Sequence, residues 1–346
     1  MPEISIIGAG AIGQAFTADL VRRGFRVAAL TERVAAHVEA LRNAATIRLS
    51  GHLGRAEVPL PALHTDAAMA ASTRIILVAT TVDAHEQVAL ALAPVLTGEH
   101  VVVLANGYVK GSARFAKALK AGGCNARPAV LELATTPYLA CSVEPGKVHV
   151  TARKRWMELA SFEDGRAAEH HAALAELIPG IVVCDNALAS SLNNQNPIAH
   201  VPSYLLNAAE ARHGDPVTAS AQRGGAFYLD DFSTDEVLRL RAAADAERLS
   251  VMNALDLGEY AIPRPEFSQR SYGPDSRESS PPRIGRSFSR RFVTEDIPYG
   301  LVPIEELGKQ AGVETPVISS LITLVSLLES NDWRASHAAA FQGCLP

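Results

Sequence analysis

Two short segments in the second half of the chain combine residue types that can carry acid–base chemistry. In the first, Asn196 precedes His200 by four residues, and the amides from Asn193 to Gln195 come directly before it. Residues four apart share one face of a helix, so an amide and an imidazole are expected side by side. Imidazole titrates near neutral pH, which suits a general acid or base. The alternative from these residues alone is a capping Asn196 and a buried structural His200.

The second segment runs from Arg291 to Asp296 and ends in an acidic pair. A carboxylate at Asp296 can orient and stabilise a protonated His200, as in known His–Asp pairs. Arg291 can bind a substrate carboxylate with two parallel hydrogen bonds. A surface ion pair in a turn is the alternative. The residues before the acidic pair look strand-like, and a helix is predicted to follow from Pro303.

A glycine-rich turn lies near the start of the chain. Gly8, Gly10 and Gly13 follow a short apolar run and precede a helical pattern. In a dinucleotide-binding turn, the first glycine permits the tight bend, the second lets the pyrophosphate approach, and the third lets helix and strand pack closely. The helix start then presents unpaired N–H groups to the phosphates. We therefore predict a nicotinamide dinucleotide site at Gly8, Gly10 and Gly13, with Ala11 and Ile12 in the first turn of the helix.

The residues after the second predicted strand bear on the choice between NADP and NAD. An acidic residue at this position usually accepts hydrogen bonds from the ribose of NAD. The spacing places Thr31 at this position, and Arg33 is close enough to pair with a 2′-phosphate. We therefore expect NADP, with Thr31, Arg33 and Thr80 as further cofactor contacts. A shift of one residue would put Glu32 in the acidic position and favour NAD.

Apolar runs alternate with helical patterns over the first half of the chain, which predicts an α/β fold with a doubly wound, parallel Rossmann sheet. The predicted strands are Ile4–Ile7, Arg26–Leu30, Arg74–Ala79, His100–Ala105 and Pro128–Leu133. Lys147–Thr151 and Ile181–Cys184 are expected to extend the same sheet. We predict a dinucleotide-binding domain over residues 1–185.

Residues 186–346 are predicted to form a mostly α-helical substrate and catalytic domain. Long helical patterns cover Pro197–Ala211, Thr234–Leu257 and Pro316–Leu328. Residues 263–290 are rich in proline, serine, glycine and arginine, which predicts a long loop, with room for a short helix.

The composition excludes several classes of protein. The net charge of -5 argues against a nucleic-acid-binding protein, which needs a basic face. The four cysteines form no CxxC pair, so neither a disulfide framework nor a metal site is expected. No apolar stretch reaches the roughly 20 residues that span a bilayer. We expect a cytoplasmic protein that binds no membrane, and a homodimer from the frequency of that state among oligomers.

These motifs together resemble the opine dehydrogenases, the octopine/nopaline dehydrogenase group, and are closest to members of the N-(1-carboxyethyl)-norvaline type. The resemblance extends over nearly the whole chain. It rests on the glycine turn Gly8–Gly13, Glu132–Cys141 with Pro145-Gly146, Asn196–Ala209, Asp245–Arg248, Arg291–Asp296, Gly300–Pro303 and Leu307-Gly308. Residues 268–290 do not match this group well.

The resemblance implies a reductive condensation. The amine of an amino acid condenses with the ketone of a 2-oxo acid such as pyruvate, and NAD(P)H reduces the imine to a secondary amine dicarboxylate. In that scheme His200 is the proton donor and acceptor, Asp296 is its partner, and Asn196 and Arg291 contact the substrates.

Two other functions fit parts of the sequence. A ketopantoate-type reductase of 2-oxo acids shares the Rossmann half and a helical second domain. Such enzymes usually rely on a lysine in the second domain, and residues 193–200 contain none. A protein that binds the dinucleotide only as a sensor would need no acid–base pair, so His200 and Asp296 argue against it.

Overall fold

The computed structural model describes residues 3–208, 233–273 and 290–336. The chain divides into two compact units, Met1–Ala187 and Leu188–Pro346. This division lies two residues after the boundary expected from the sequence. The first unit contains all the strands of the described residues, and the described part of the second unit is helical. The α/β fold with a helical second half is therefore confirmed.

The first unit is built around an eight-stranded sheet with the order β12-β11-β8-β7-β6-β1-β2-β5. Its strands are β1 Glu3–Ile7, β2 Arg26–Thr31, β5 Ala62–His64, β6 Ile75–Val78, β7 Val101–Leu104, β8 Ala129–Leu133, β11 Met157–Ala160 and β12 Ile181–Val183. The pairs from β8 to β5 are parallel. Only β11 pairs with its neighbour β8 in the antiparallel sense. The five predicted strands are all present.

This sheet is covered on both faces, as its continuous apolar strands predict. Along β6 and β7 alternate side chains join two different apolar clusters. Leu77 and Val103 belong to the cluster that includes Phe16 of the first helix. Ile76 and Val102 belong to the other. The helices are α1 Ala11–Arg22, α2 Ala35–Ala44, α3 His85–Leu92, α4 Gly111–Ala121 and α5 Arg166–Leu177.

A second sheet of four strands, in the order β4-β3-β10-β9, packs against α1. Its strands are β3 Thr46–Gly51, β4 Ala56–Pro59, β9 Tyr138–Glu144 and β10 Lys147–Arg153. The prediction that Lys147–Thr151 extends the main sheet is therefore wrong, whereas the expected strand at Ile181 does join it. The turn between β9 and β10 is anchored on α1, because Gly146 N donates to Gln14 Oε1 at 3.1 Å.

Within the described residues of the second unit, all the regular elements are helices. Its helices are α6 Ala187–Leu192, α7 Asn196–Leu206, α8 Asp235–Ala254, α9 Arg264–Tyr272, α10 Arg291–Thr294, α11 Val302–Gln310 and α12 Pro316–Glu329. The three long helices match the predicted patterns, although residues 209–211 lie outside the described residues. Gly312 follows α11 with a φ of +71°, as expected of a helix end. None of the described helices is long and apolar enough to cross a membrane.

The proline- and arginine-rich segment 263–290 begins as a helix. Pro263 is the N-cap of α9 and Pro265 lies in its first turn, where a missing N–H costs nothing. Residues 274–289 lie outside the described residues. The strand-like stretch predicted before the acidic pair Glu295 and Asp296 is instead the short helix α10. Phe292 and Val293 are buried and α10 packs on α7, so tertiary contacts override the β propensity of these residues.

Candidate active site

The glycine turn connects β1 to α1, and each of its three glycines meets a different constraint. Gly8 has a φ of +96°, and a Cβ there would lie 2.9 Å from both Ala79 O and Thr80 Cγ2. At Gly13 a Cβ would lie 1.7 Å from the carbonyl oxygen of Gly8. At Gly10 nothing lies within 4 Å of the Cβ position. The turn therefore combines a bend, a close helix–strand contact and one open position, which fits a bound pyrophosphate.

The start of α1 and Thr80 lie next to the glycine turn, where the sequence predicts cofactor contacts. Gly10 is the N-cap of α1 and makes no side-chain capping bond. Ala11 and Ile12 are its half-buried first residues. Thr80 lies against Gly8, and its buried hydroxyl has no hydrogen-bond partner among the described residues. A bound dinucleotide would satisfy such a hydroxyl.

The end of β2 is arranged with Glu32, rather than Thr31, against the glycine turn. The side chain of Thr31 is 2% exposed, and its carbonyl oxygen accepts from Gly8 N at 2.9 Å. Successive side chains of a strand point to opposite sides, so the next residue faces the turn. Glu32 Oε2 accepts from Ala9 N at 3.3 Å, and its Oε1 accepts from Val34 N at 3.0 Å. Arg33 is exposed and donates to the side-chain oxygen of Gln87.

The second unit brings His200 and Asp296 together. His200 Nδ1 lies 2.8 Å from Asp296 Oδ2. The histidine is 4% exposed and the aspartate 0%. The Phe292 ring stacks on the imidazole, with ring centroids 3.9 Å apart and an angle of 14° between the planes. An ionised carboxylate only accepts, so Asp296 requires the proton on Nδ1 and makes Nε2 the nitrogen for proton exchange.

Asp296 comes from an irregular helical segment. It follows α10 and caps a π-helical turn, Ile297–Leu301, which leads into α11. Pro298 lies in that turn, and Gly300 packs against Pro197 of α7 so closely that a Cβ would lie 2.3 Å from Pro197 Cγ. The motif Gly300–Pro303 therefore fixes the segment that carries Asp296 against the helix that carries His200.

Two buried arginines of α8 hold α7 through its main chain. Arg248 is 0% exposed, pairs with Asp245 at 2.7 Å, and donates to Leu192 O at 3.1 Å just before α7. Arg241, seven residues earlier and thus on the same face, donates to Ala199 O at 3.0 Å. Ala199 directly precedes His200. The Asp245–Arg248 motif carries part of the family resemblance without a predicted role, and Arg241 was not predicted as a site residue.

The other predicted substrate contacts lie on the same two elements. Asn196 is the first residue of α7, one residue later than the N-cap position expected for it, and is half-buried. Arg291 is the first residue of α10 and is also half-buried. Gln195 was not predicted. It is 4% exposed, and neither atom of its amide group has a hydrogen-bond partner among the described residues.

Each half of the chain matches a known protein family. The profile of the ketopantoate reductase PanE/ApbA family matches residues 4–164. The profile of the NAD/NADP octopine/nopaline dehydrogenase alpha-helical domain matches residues 183–328, which include His200, Arg248 and Asp296. The opine dehydrogenase of Arthrobacter sp. (strain 1C) is 28% identical over 342 residues, covering 95% of this chain and 91% of that protein. The chain is similar to opine dehydrogenases over nearly its whole length, and its second half matches their helical domain. The resemblance inferred from the motifs is thus confirmed, and the chain is an NAD(P)-dependent oxidoreductase.

Two solved dehydrogenase structures share the fold. A structure of octopine dehydrogenase in complex with NADH and agmatine superposes with a TM-score of 0.68 at 18% identity, covering 95% of this chain and 89% of that one. Yersinopine dehydrogenase with NADP+ bound gives a TM-score of 0.64 at 17% identity, covering 99% and 92%. At such identities the likeness extends to the fold alone. The two relatives were captured with different dinucleotides.

Proposed function

We propose that this protein condenses the amine of an amino acid with the ketone of a 2-oxo acid and reduces the resulting imine to a secondary amine dicarboxylate. The observation that carries the proposal is the buried pair of His200 and Asp296, 2.8 Å apart, within the unit that matches the octopine/nopaline dehydrogenase helical domain. Pyruvate is the oxo acid we would test first. The amino acid is to be found by experiment.

His200 carries the proton in this scheme. The amine adds to the ketone carbon, and the addition product loses its hydroxyl group to form a protonated imine. His200 gives one proton to the departing oxygen, which leaves as water. The dinucleotide, when bound, supplies the hydride that adds to the imine carbon. The carboxylate of Asp296 keeps the imidazole in the required tautomer and stabilises its protonated form.

Asn196 and Arg291 are proposed to bind the substrates. Asn196 lies one helical turn before His200, so its amide can bond to a substrate held near the imidazole. Both condensing molecules carry a carboxylate, and the guanidinium of Arg291 can clamp one of them in a bidentate manner.

We propose NADH as the preferred dinucleotide, and the arrangement at the end of β2 supports this choice. The Glu32 carboxylate bonds to Ala9 N of the glycine turn, where it can accept from ribose hydroxyls and would repel a 2′-phosphate. Unit charges 4 Å apart repel by about 1 to 4 kcal/mol, depending on the effective dielectric constant. We therefore expect kcat/KM for NADH to exceed that for NADPH by roughly 5- to 1,000-fold.

A charge-neutral substitution tests this preference. Glu32→Gln should bring the two kcat/KM values closer together, whereas Glu86→Gln, at an exposed position on α3, should leave their ratio unchanged. A wild-type preference for NADPH would instead favour the role first expected for Thr31 and Arg33.

The reaction itself is tested by amine dependence. NADH and NADPH oxidation would be followed with pyruvate and each of a panel of amino acids, and the product identified by mass spectrometry. Oxidation that proceeds equally fast without any amine would refute the proposal. It would favour a simple 2-oxo acid reductase, an alternative that the match of residues 4–164 to ketopantoate reductases suggests.

Variants of the acid–base pair separate chemistry from binding. Asp296→Asn should lower kcat by up to about 10⁴-fold, the loss seen when the wrong histidine tautomer is imposed in a serine protease. Asp235→Asn, at an exposed position of α8, is the matched control and should keep full activity. Dinucleotide binding should be unchanged in both variants.

We propose that the protein forms a homodimer and that it is located in the cytoplasm. Multi-angle light scattering of the purified protein tests the first, and a value for a single chain of 36.7 kDa would refute it. Fractionation of the source cells tests the second.

A further inference from the structure

Three side chains from outside the glycine turn hold Ala9, the residue between its first two glycines. Gln14 Nε2 donates to Ala9 O at 2.9 Å, and His37 Nε2 donates to the same oxygen at 3.1 Å. The main-chain N–H of Ala9 donates to the Glu32 carboxylate at 3.3 Å. A carbonyl oxygen only accepts, so the His37 proton in this bond lies on Nε2. Both peptide groups that meet at Ala9 are therefore fixed by side chains.

The direction of the Ala9 carbonyl decides where the next N–H group points. The Ala9–Gly10 peptide bond is trans, so the carbonyl group and the Gly10 N–H point in opposite directions. The carbonyl points toward Gln14 and His37, and the N–H is therefore directed away from both side chains. Gly10 is exposed, and nothing lies within 4 Å of its Cβ position. The space around this residue is thus open to the pyrophosphate of a dinucleotide.

Two donors on one carbonyl oxygen restrict the peptide group more than one donor does. A single hydrogen bond sets the direction of the C=O bond but lets the peptide plane turn about it. Gln14 belongs to α1 and His37 to α2, so the two donors come from different helices and limit this rotation. An N–H group that is already held in its binding orientation loses less conformational freedom when the anion arrives, which favours binding.

Gln14 and His37 differ in what else they do. Gln14 is 0% exposed, and its Oε1 also accepts from Gly146 N, so it anchors the β9–β10 turn as well. His37 is half-buried, and the side chain makes no other hydrogen bond among the described residues. Substitution of His37 can therefore separate an effect on the glycine turn from an effect on the fold.

We propose that His37 is a positioning residue for the dinucleotide, which directs the Gly10 N–H toward the pyrophosphate by holding the Ala9 carbonyl. The inference rests on the dinucleotide site proposed at the glycine turn and not on the identity of the condensing substrates. NADH and NADPH share the pyrophosphate and differ only at the ribose 2′ position. His37 should therefore act equally on both, whereas Glu32 is proposed to discriminate between them.

Fluorescence titration of the purified protein with NADH and with NADPH tests this role. His37→Met removes the donor and should weaken the binding of both dinucleotides by about 3- to 10-fold, with the ratio of the two affinities unchanged. His37→Gln introduces a side chain of similar length that carries an N–H donor. It should bind both dinucleotides within about twofold of the wild type, because the bond to Ala9 O can be remade.

His171→Met is the matched control. His171 is also half-buried and its Nε2 also bonds to a main-chain oxygen, Ile181 O at 3.0 Å, but it lies on α5. This variant should bind both dinucleotides as the wild type does.

Several results would overturn the proposal. Equal weakening in His37→Met and His37→Gln would show that the ring acts by packing and not as a donor. Wild-type affinity in His37→Met, or a weakening confined to one dinucleotide, would also contradict the positioning role. A wild-type protein that binds neither dinucleotide would overturn the site itself. The titration contains no amino acid or oxo acid, so its outcome is separate from that of the amine-dependence assay.

Discussion

His85 is buried in the first unit, and this burial favours the neutral form of its imidazole. It is 3% exposed, neither ring nitrogen has a hydrogen-bond partner among the described residues, and its ring meets the Phe115 ring edge-on at 6.2 Å. Burial, with a smaller contribution from the positive charge of Arg114, lowers the pKa of His85 from 6.5 to about 3. The unfolded chain therefore takes up a proton at this residue at a much higher pH than the folded protein does.

The sign and size of the effect on stability follow from proton linkage. Between pH 6.5 and pH 3 the unfolded state binds the additional proton, so stability falls as the pH falls. The slope approaches about 1.4 kcal/mol per pH unit. From pH 7 to pH 5 the loss from His85 alone is about 2 kcal/mol. This figure holds for any folded-state pKa well below 5.

His85→Leu removes the titrating group and leaves a side chain of similar volume. At pH 7 the variant should be at least as stable as the wild type, because a buried ring without partners is replaced by an apolar group. Its free energy of unfolding, measured by urea denaturation, should fall by about 2 kcal/mol less between pH 7 and pH 5 than that of the wild type. His52→Leu, at an exposed position, is the control. Equal losses in wild type and His85→Leu would refute the reasoning.

Three further predictions concern the turn, the second unit and α7. Gly13→Ala should destabilise the first unit, since its Cβ would meet Gly8 O, by about 3 kcal/mol. Gly10→Ala should keep that stability and weaken NADH binding at least tenfold, as checked by urea denaturation and fluorescence titration. Burial raises the pKa of Glu305, but bonds from Arg334, Ser319 and Lys309 outweigh it and lower the pKa to about 2. Glu305→Gln should therefore cost about 1 to 3 kcal/mol at pH 7, a difference from wild type that shrinks as the pH falls from 4.5 toward 2. Arg241→Met should lower kcat by roughly 10- to 100-fold through displacement of α7. Arg239→Met, at an exposed position on the same helix, should leave kcat unchanged.

The parts of the site that depend on residue type and spacing could be predicted from the sequence. The glycine turn was predictable because the spacing of its glycines matches the geometry that a dinucleotide-binding turn requires. The five main strands were predictable because they are continuous apolar runs. His200 and Asp296 were chosen for their chemistry, and the structure brings them within 2.8 Å although 96 residues separate them. The chemistry of His–Asp pairs already suggested that they act together, and the family resemblance implied the same roles.

The remaining features depend on one-residue register or on tertiary contacts. Whether Thr31 or Glu32 meets the glycine turn is decided by the last residue of β2, and a strand end cannot be located so finely from sequence. The helix α10 contains Phe, Val and Thr, which favour strands, yet packing on α7 makes it helical. The second sheet escaped prediction because β3 and β4 contain only isolated buried residues, so neither strand is a continuous apolar run.

The hydrogen bonds from α8 to main-chain oxygens at and before α7 make the position of His200 independent of the side chains that would select the substrate. Arg241 and Arg248 reach carbonyl oxygens at Ala199 and Leu192, and every amino acid offers such an oxygen. The imidazole is thereby kept in position without relying on the identity of the side chains that face the substrates. Substitutions at those positions can retune which amino acid is accepted while leaving the proton-transfer machinery undisturbed, a favourable starting point for diversification of products within one fold.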